Sequence, residues 1–158
     1  MASISIPSLL SFNGRLRRSH YWVTSIALGV VKAVLTVILT AVAGQAMTGD
    51  GWVGSLVEAL FLWPTLALLV KRGHDRDRPA RFSLVLVIIV IAAALGAGAA
   101  EAFGRQPLMI ACFVVLAASF GFLLVDYGFI DGTPGPNRFG PSPKGIGAGA
   151  LDVAETFD

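Results

Sequence analysis

Four long apolar runs, Tyr21–Met47, Val53–Val70, Phe82–Phe103 and Leu108–Val125, are separated by short polar or glycine-containing links. Each run is close to or above the roughly 20 residues that an α-helix needs to cross a hydrocarbon core about 30 Å thick. The first is long enough to require some tilt. The links Thr48–Trp52, Lys71–Arg81 and Gly104–Pro107 are short, which makes successive helices antiparallel neighbours. The pattern therefore predicts an all-α, polytopic membrane protein: four antiparallel transmembrane helices (21–47, 53–70, 82–103, 108–125) within a single domain, residues 1–143. Between Asp126 and Gly149 lie four of the eight prolines and seven of the eighteen glycines, so regular structure is expected to stop at Val125. Residues 144–158 read as a flexible tail.

Composition supports a lipid solvent: 55% of residues are hydrophobic, 14% are charged and mean hydropathy is +0.75, outside the range of a soluble core. The N-terminal segment does not fit a cleaved signal, because its arginines follow the first hydrophobic residues and the next apolar run is too long. Lys and Arg are distributed unevenly. Arg15, Arg17, Arg18, Lys71, Arg72, Arg76, Arg78, Arg81, Arg138 and Lys144 fall on one side of the predicted spans, and Arg105 falls alone on the other. The positive-inside rule then places both termini and the 71–81 link in the cytoplasm. Tyr21, Trp22, Trp52 and Tyr127 mark run ends, where amphipathic rings anchor at the headgroups. A net charge of only +2 and the absence of aromatics interleaved with basic runs exclude a nucleic-acid reader. Cys112 is the sole cysteine, so neither a disulfide nor a cysteine metal site is expected.

Three polar segments carry a resemblance. Phe12-Asn13-Gly14-Arg15-Leu16-Arg17-Arg18-Ser19-His20-Tyr21-Trp22, then Pro64 with Lys71-Arg72-Gly73-His74-Asp75, then Gly135-Pro136-Asn137-Arg138-Phe139-Gly140-Pro141-Ser142-Pro143 follow in order the three characteristic segments of the DUF805 family of small bacterial inner-membrane proteins, which this chain resembles over most of its length. It departs from many members after His74-Asp75, where Arg76-Asp77-Arg78-Pro79-Ala80-Arg81 stands in place of a small, Trp-containing stretch. The resemblance implies a bundle in the cytoplasmic membrane and no assigned activity.

All three segments fall on the predicted cytoplasmic side, so Arg15, Arg18, Arg72, His74, Asp75, Asn137 and Arg138 form one candidate polar cluster. One reading is internal: these residues pin loops to helix ends, while exposed basic residues meet anionic lipid. The other is a site for an anionic headgroup or a phosphate-bearing ligand, because guanidinium geometry matches phosphate. Arg78, in the departing stretch, is expected to be solvated. His74-Asp75 is too small an inventory for metal chemistry when His20 is the only other histidine, so no metal and no cofactor is expected. Within the spans, Lys32 lies about 16 Å and Glu58 about 18 Å from the same side at 1.5 Å per residue. They form a candidate intramembrane ion pair, structural or part of a proton or ion relay.

The expected function is that of a non-enzymatic structural or interaction protein of the bacterial inner membrane, presenting a basic face to anionic lipid headgroups, a protein partner or a second copy of itself. A small transporter or channel component using Lys32 and Glu58 is the alternative. A membrane-surface enzyme using His74 and Asp75 comes last.

Overall fold

The computed structural model describes residues 10–43 and 52–146. Within them the chain forms α1 (Arg18–Ala43), α2 (Trp52–Asp75), α3 (Ala80–Ala102) and α4 (Gln106–Leu123), and α4 runs on into a π-helical segment, Leu124–Phe129. All four helices are long and apolar enough to cross a membrane. The part of the first predicted helix beyond Ala43 lies outside the described residues, as does the tail from 147 onward.

Two boundaries differ from expectation. Lys71–Asp75 does not belong to a link: α2 continues through it to Asp75, and only Arg76–Pro79 connects α2 to α3. The helix stops there through a Schellman turn, in which the Arg78 amide donates to Gly73 O at 2.8 Å and the Asp77 amide to His74 O at 3.0 Å. Asp77 takes the left-handed position usually held by glycine, at φ 56°, and Pro79 follows with the fixed φ that precedes α3. Asp77→Gly should therefore raise thermal stability slightly, by less than about 1 kcal/mol, because relief of the left-handed strain is partly offset by glycine's unfolded-state entropy. Differential scanning calorimetry in detergent reads the shift, and a lowered midpoint would show that the exposed Asp77–Arg138 contact outweighs the strain.

The second difference is at the other end of the fold. Helical structure does not stop at Val125 but continues as the π segment to Phe129, closed by an Ile130 N–H to Val125 O bond of 3.1 Å.

The helices pack in sequence, α1 on α2, α2 on α3 and α3 on α4, and the α3–α4 contact is the most extensive. Small residues permit that approach: Ala93, Ala97 and Ala100 are buried, and a Cβ placed on Gly96 would come to 3.0 Å from Cys112 Sγ. Among the described residues α1 packs on α2 and the π segment but makes no packing contact with α3 or α4. The protein's own core is gathered at the basic end, where Ala67, Leu68, Val70, Arg72, Ser83 and Tyr127 are almost fully enclosed. Apolar side chains elsewhere need no protein cover in a bilayer, whereas polar groups must find partners in the protein.

Candidate functional site

The last four carbonyls of a helix have no partner within it. At the end of the π segment four successive carbonyls, Tyr127 to Ile130, are met by side chains from other helices. Arg72 donates from Nε to Tyr127 O (2.7 Å) and from Nη2 to Ile130 O, Trp22 donates from Nε1 to Gly128 O (2.9 Å), and Arg18 from Nη1 to Phe129 O (2.8 Å). The end of α2 is closed in the same way by distant backbone. The Leu16 amide donates to Lys71 O at 3.1 Å and the Thr133 amide to Asp75 O at 2.8 Å, while Asn137 Nδ2 donates to His74 O at 2.9 Å. The first and third family-like segments thus cap the end of α2, to which the second belongs, and the first and second together cap the π segment.

Asp75 lies at the centre. Its Oδ1 accepts from Arg15 Nε and Nη2 at 3.2 and 3.0 Å, and its Oδ2 accepts from Arg72 Nη1. All three side chains are buried, with 2%, 0% and 4% exposure for Arg15, Arg72 and Asp75. Arg15 also donates to Thr133 O and Gly135 O, both at 2.7 Å. Every guanidinium nitrogen of both arginines is therefore used inside the protein. One carboxylate balances only one of two cations, and the negative ends of two helix dipoles face the excess charge. Gly132 is required for this packing, because a Cβ there would overlap the Asp75 carboxylate. Gly132→Ala should cost about 1–3 kcal/mol as an overpacked site, read as a fall in the thermal midpoint; an unchanged midpoint would mean that Asp75 moves freely.

His74 is placed beside this centre and does not pair with Asp75. Its Nδ1 meets Gly14 O at 3.1 Å, which assigns the proton to Nδ1, and its ring stacks on Phe139 at 3.9 Å and 4°. Arg138 lies further out, 3.1 Å from Asp77 and about half exposed. Among the described residues no group of three or more His, Cys, Asp or Glu converges as a metal ion would require.

Two participants have another role in the structure than the sequence predicts. Tyr127, expected at the headgroups, is fully buried, with its hydroxyl 2.9 Å from Ser83 Oγ. Arg78, expected to be solvated, pairs with Asp126 at 3.0 Å and lies over the Phe82 ring at 4.4 Å; Arg76 reaches the same carboxylate at 3.3 Å. For Arg76 and Arg78 the sequence signal is the carboxylate of Asp126 just past the last apolar run. Asp131 receives Lys144 at 3.2 Å and Arg18 at 3.6 Å. The hydrogen bond from Lys144, then the charge of Arg18, hold the Asp131 carboxyl below its ordinary range. The stabilisation from that contact is fully present above the usual aspartate pKa, about 3.9, and is lost as pH falls below it through the lowered pKa of the folded protein.

Within the spans, Lys32 Nζ lies 2.6 Å from Glu58 Oε2. Thr36 Oγ1 donates to Lys32 O, and Thr40 Oγ1 to Thr36 O, extending a polar face along α1. A groove of about 280 Å³, lined only by α1 and α2, opens beside the pair. At the basic end the free space next to Asp75 and Lys144 is only about 10 Å³.

Four apolar spans and a closed polar cap at one end define an all-α integral membrane protein. The chain belongs to the DUF805 family, described as proteins of unknown function, whose profile matches residues 9–141. It is similar to Inner membrane protein YhaH of Escherichia coli K12, 26% identical over 140 residues covering 88% of this chain and 92% of that protein. Inner membrane protein YhaI of the same strain is 26% identical, covering 88% and 91%, and Uncharacterized protein YiiR is 28% identical, covering 87% and 89%. No solved structure matches the chain.

Proposed function

We propose that this is a non-enzymatic protein of the bacterial inner membrane, with its basic end and both termini in the cytoplasm, where a rigid cap rests on anionic lipid headgroups. The observation that carries the reading is the division of labour among the basic residues. Arg15 and Arg72 spend every donor nitrogen internally, and the space beside Asp75 and Lys144 is only about 10 Å³ among the described residues. Around them Arg17 and Arg81 are exposed and make no ion pair among the described residues. Arg18, Arg138 and Lys144 are held at the surface by carboxylates. Ten basic residues at one end against one at the other support the orientation.

Basic side chains near an anionic bilayer surface contribute about 1 kcal/mol each. The protein reconstituted in nanodiscs should therefore unfold at a higher temperature when phosphatidylglycerol is mixed with phosphatidylcholine than in phosphatidylcholine alone. Arg17→Gln with Arg81→Gln should shrink that difference, as should high salt. Equal midpoints in both lipids would overturn the lipid reading, and a reporter placing either terminus in the periplasm would overturn the orientation.

The groove at Lys32 and Glu58 favours a second reading, a small transporter or channel component. Proton-driven quenching of a pH dye in proteoliposomes, lost on Lys32→Met with Glu58→Gln, is its test.

A further inference from the structure

The Lys32–Glu58 pair lies inside the membrane spans, Lys32 near the middle of Arg18–Val42 and Glu58 about one turn inside the start of Gly54–Asp75, yet it is not enclosed. Lys32 is 35% exposed and Glu58 69% exposed. In water this would need no explanation, but lipid offers no hydrogen bonds, and charged groups inside a span are costly there. The ammonium has three donors, and among the described residues Glu58 Oε2 is the one side-chain acceptor it reaches. An occupant of this place must therefore supply both an acceptor and a donor at the same depth. The surroundings are just as open. None of the membrane-crossing window of α1 is buried, and nothing lies within 4 Å of the Cβ position at Gly29, about one turn from Lys32 on the groove.

We infer that a second copy of this chain covers the pair, the two Lys32–Glu58 dipoles joining across a two-fold axis into a neutral ring of four charges. The symmetry follows from how the chain inserts. Copies inserted in one orientation are related by an axis along the membrane normal, so Lys32 and Glu58 of both copies stand at the same depth. A two-fold also turns one dipole against the other, setting each ammonium towards the carboxylate of the other copy, which is the isologous complementarity a symmetric dimer needs. Gly29 adds room for the two α1 backbones to approach. The ring supplies each ammonium with a second carboxylate and each carboxylate with a second donor, which neither lipid nor an apolar helix provides.

The test is stoichiometry in phosphatidylcholine vesicles, where the lipid reading above plays no part. Fluorescently labelled protein is diluted over a range of protein-to-lipid ratios, and photobleaching steps are counted. Two-step bleaching should dominate for the natural sequence. Lys32→Glu alone and Glu58→Lys alone should each weaken association at least tenfold, and mixing the two variants should restore dimers, because each then meets its opposite charge. Should either reversal fail to fold, the neutral variant Lys32→Met with Glu58→Gln decides: it should stay folded and become monomeric at ratios where the natural sequence is dimeric. Monomers of the natural sequence at every ratio, a neutral variant that pairs equally well, or folded reversal variants that fail to pair when mixed would each overturn the inference.

Discussion

Replacing Asp75 with alanine should lower stability by about 3–5 kcal/mol, the loss typical when one partner of a buried ion cluster is removed. The change leaves the Arg15 and Arg72 guanidinium groups, both almost fully enclosed, without a carboxylate. The damage should spread beyond the pair, since the same arginines hold the carbonyls of Tyr127, Ile130, Thr133 and Gly135. Asp75→Asn should fall between, because an amide oxygen still accepts hydrogen bonds but carries no charge. Arg78→Ala should cost less than Asp75→Ala, because Arg78 is about a quarter exposed and Asp126 keeps Arg76 as a partner. Chemical denaturation in a fixed detergent orders the three variants. Equal losses at Asp75 and Arg78 would mean that the basic end is an evenly charged surface with no buried centre.

Lys32→Met alone or Glu58→Gln alone should each destabilise by up to about 2–3 kcal/mol, the upper end being the insertion cost of an unmatched charge at the centre of a span. The double variant should recover most of that loss, since two neutral residues leave nothing unpaired. The observation behind the expectation is the 2.6 Å contact between Nζ and Oε2. Measured by unfolding in one detergent, additive losses would show that the two side chains act separately and that water, rather than each other, satisfies them.

The four spans are legible in the sequence because lipid imposes a blunt rule: about 20 apolar residues, closed backbone hydrogen bonding and basic loops. The ends of the helices are harder. Lys71-Arg72-Gly73-His74-Asp75 has the composition of a link, yet it stays helical because its carbonyls are met by Leu16, Thr133 and Asn137, residues 55 or more positions away that no local pattern reveals. Tyr127 looks like a headgroup anchor from its place after an apolar run. Only the tertiary meeting with Ser83, together with the π segment that turns it inward, makes it a core residue. Glycine at 132 likewise looks like turn chemistry, whereas its reason is the carboxylate of Asp75 pressed against it. The candidate cluster can be assembled from its three segments, but which helix-end carbonyl each guanidinium, indole or amide donor meets is set by tertiary packing that no local pattern shows.

The central claim is that the three polar segments and the 124–133 stretch form one closed cap, in which the end of α2 and the end of the π segment are each completed by groups from distant parts of the chain. Amide hydrogen exchange in nanodiscs tests it most directly at Leu16 and Thr133, which lie outside the helices and donate to Lys71 O and Asp75 O. The account predicts exchange at both amides slowed to the level of neighbouring α2 amides, and lost together in Asp75→Asn. Exchange at both positions as fast as in an unstructured peptide would contradict it.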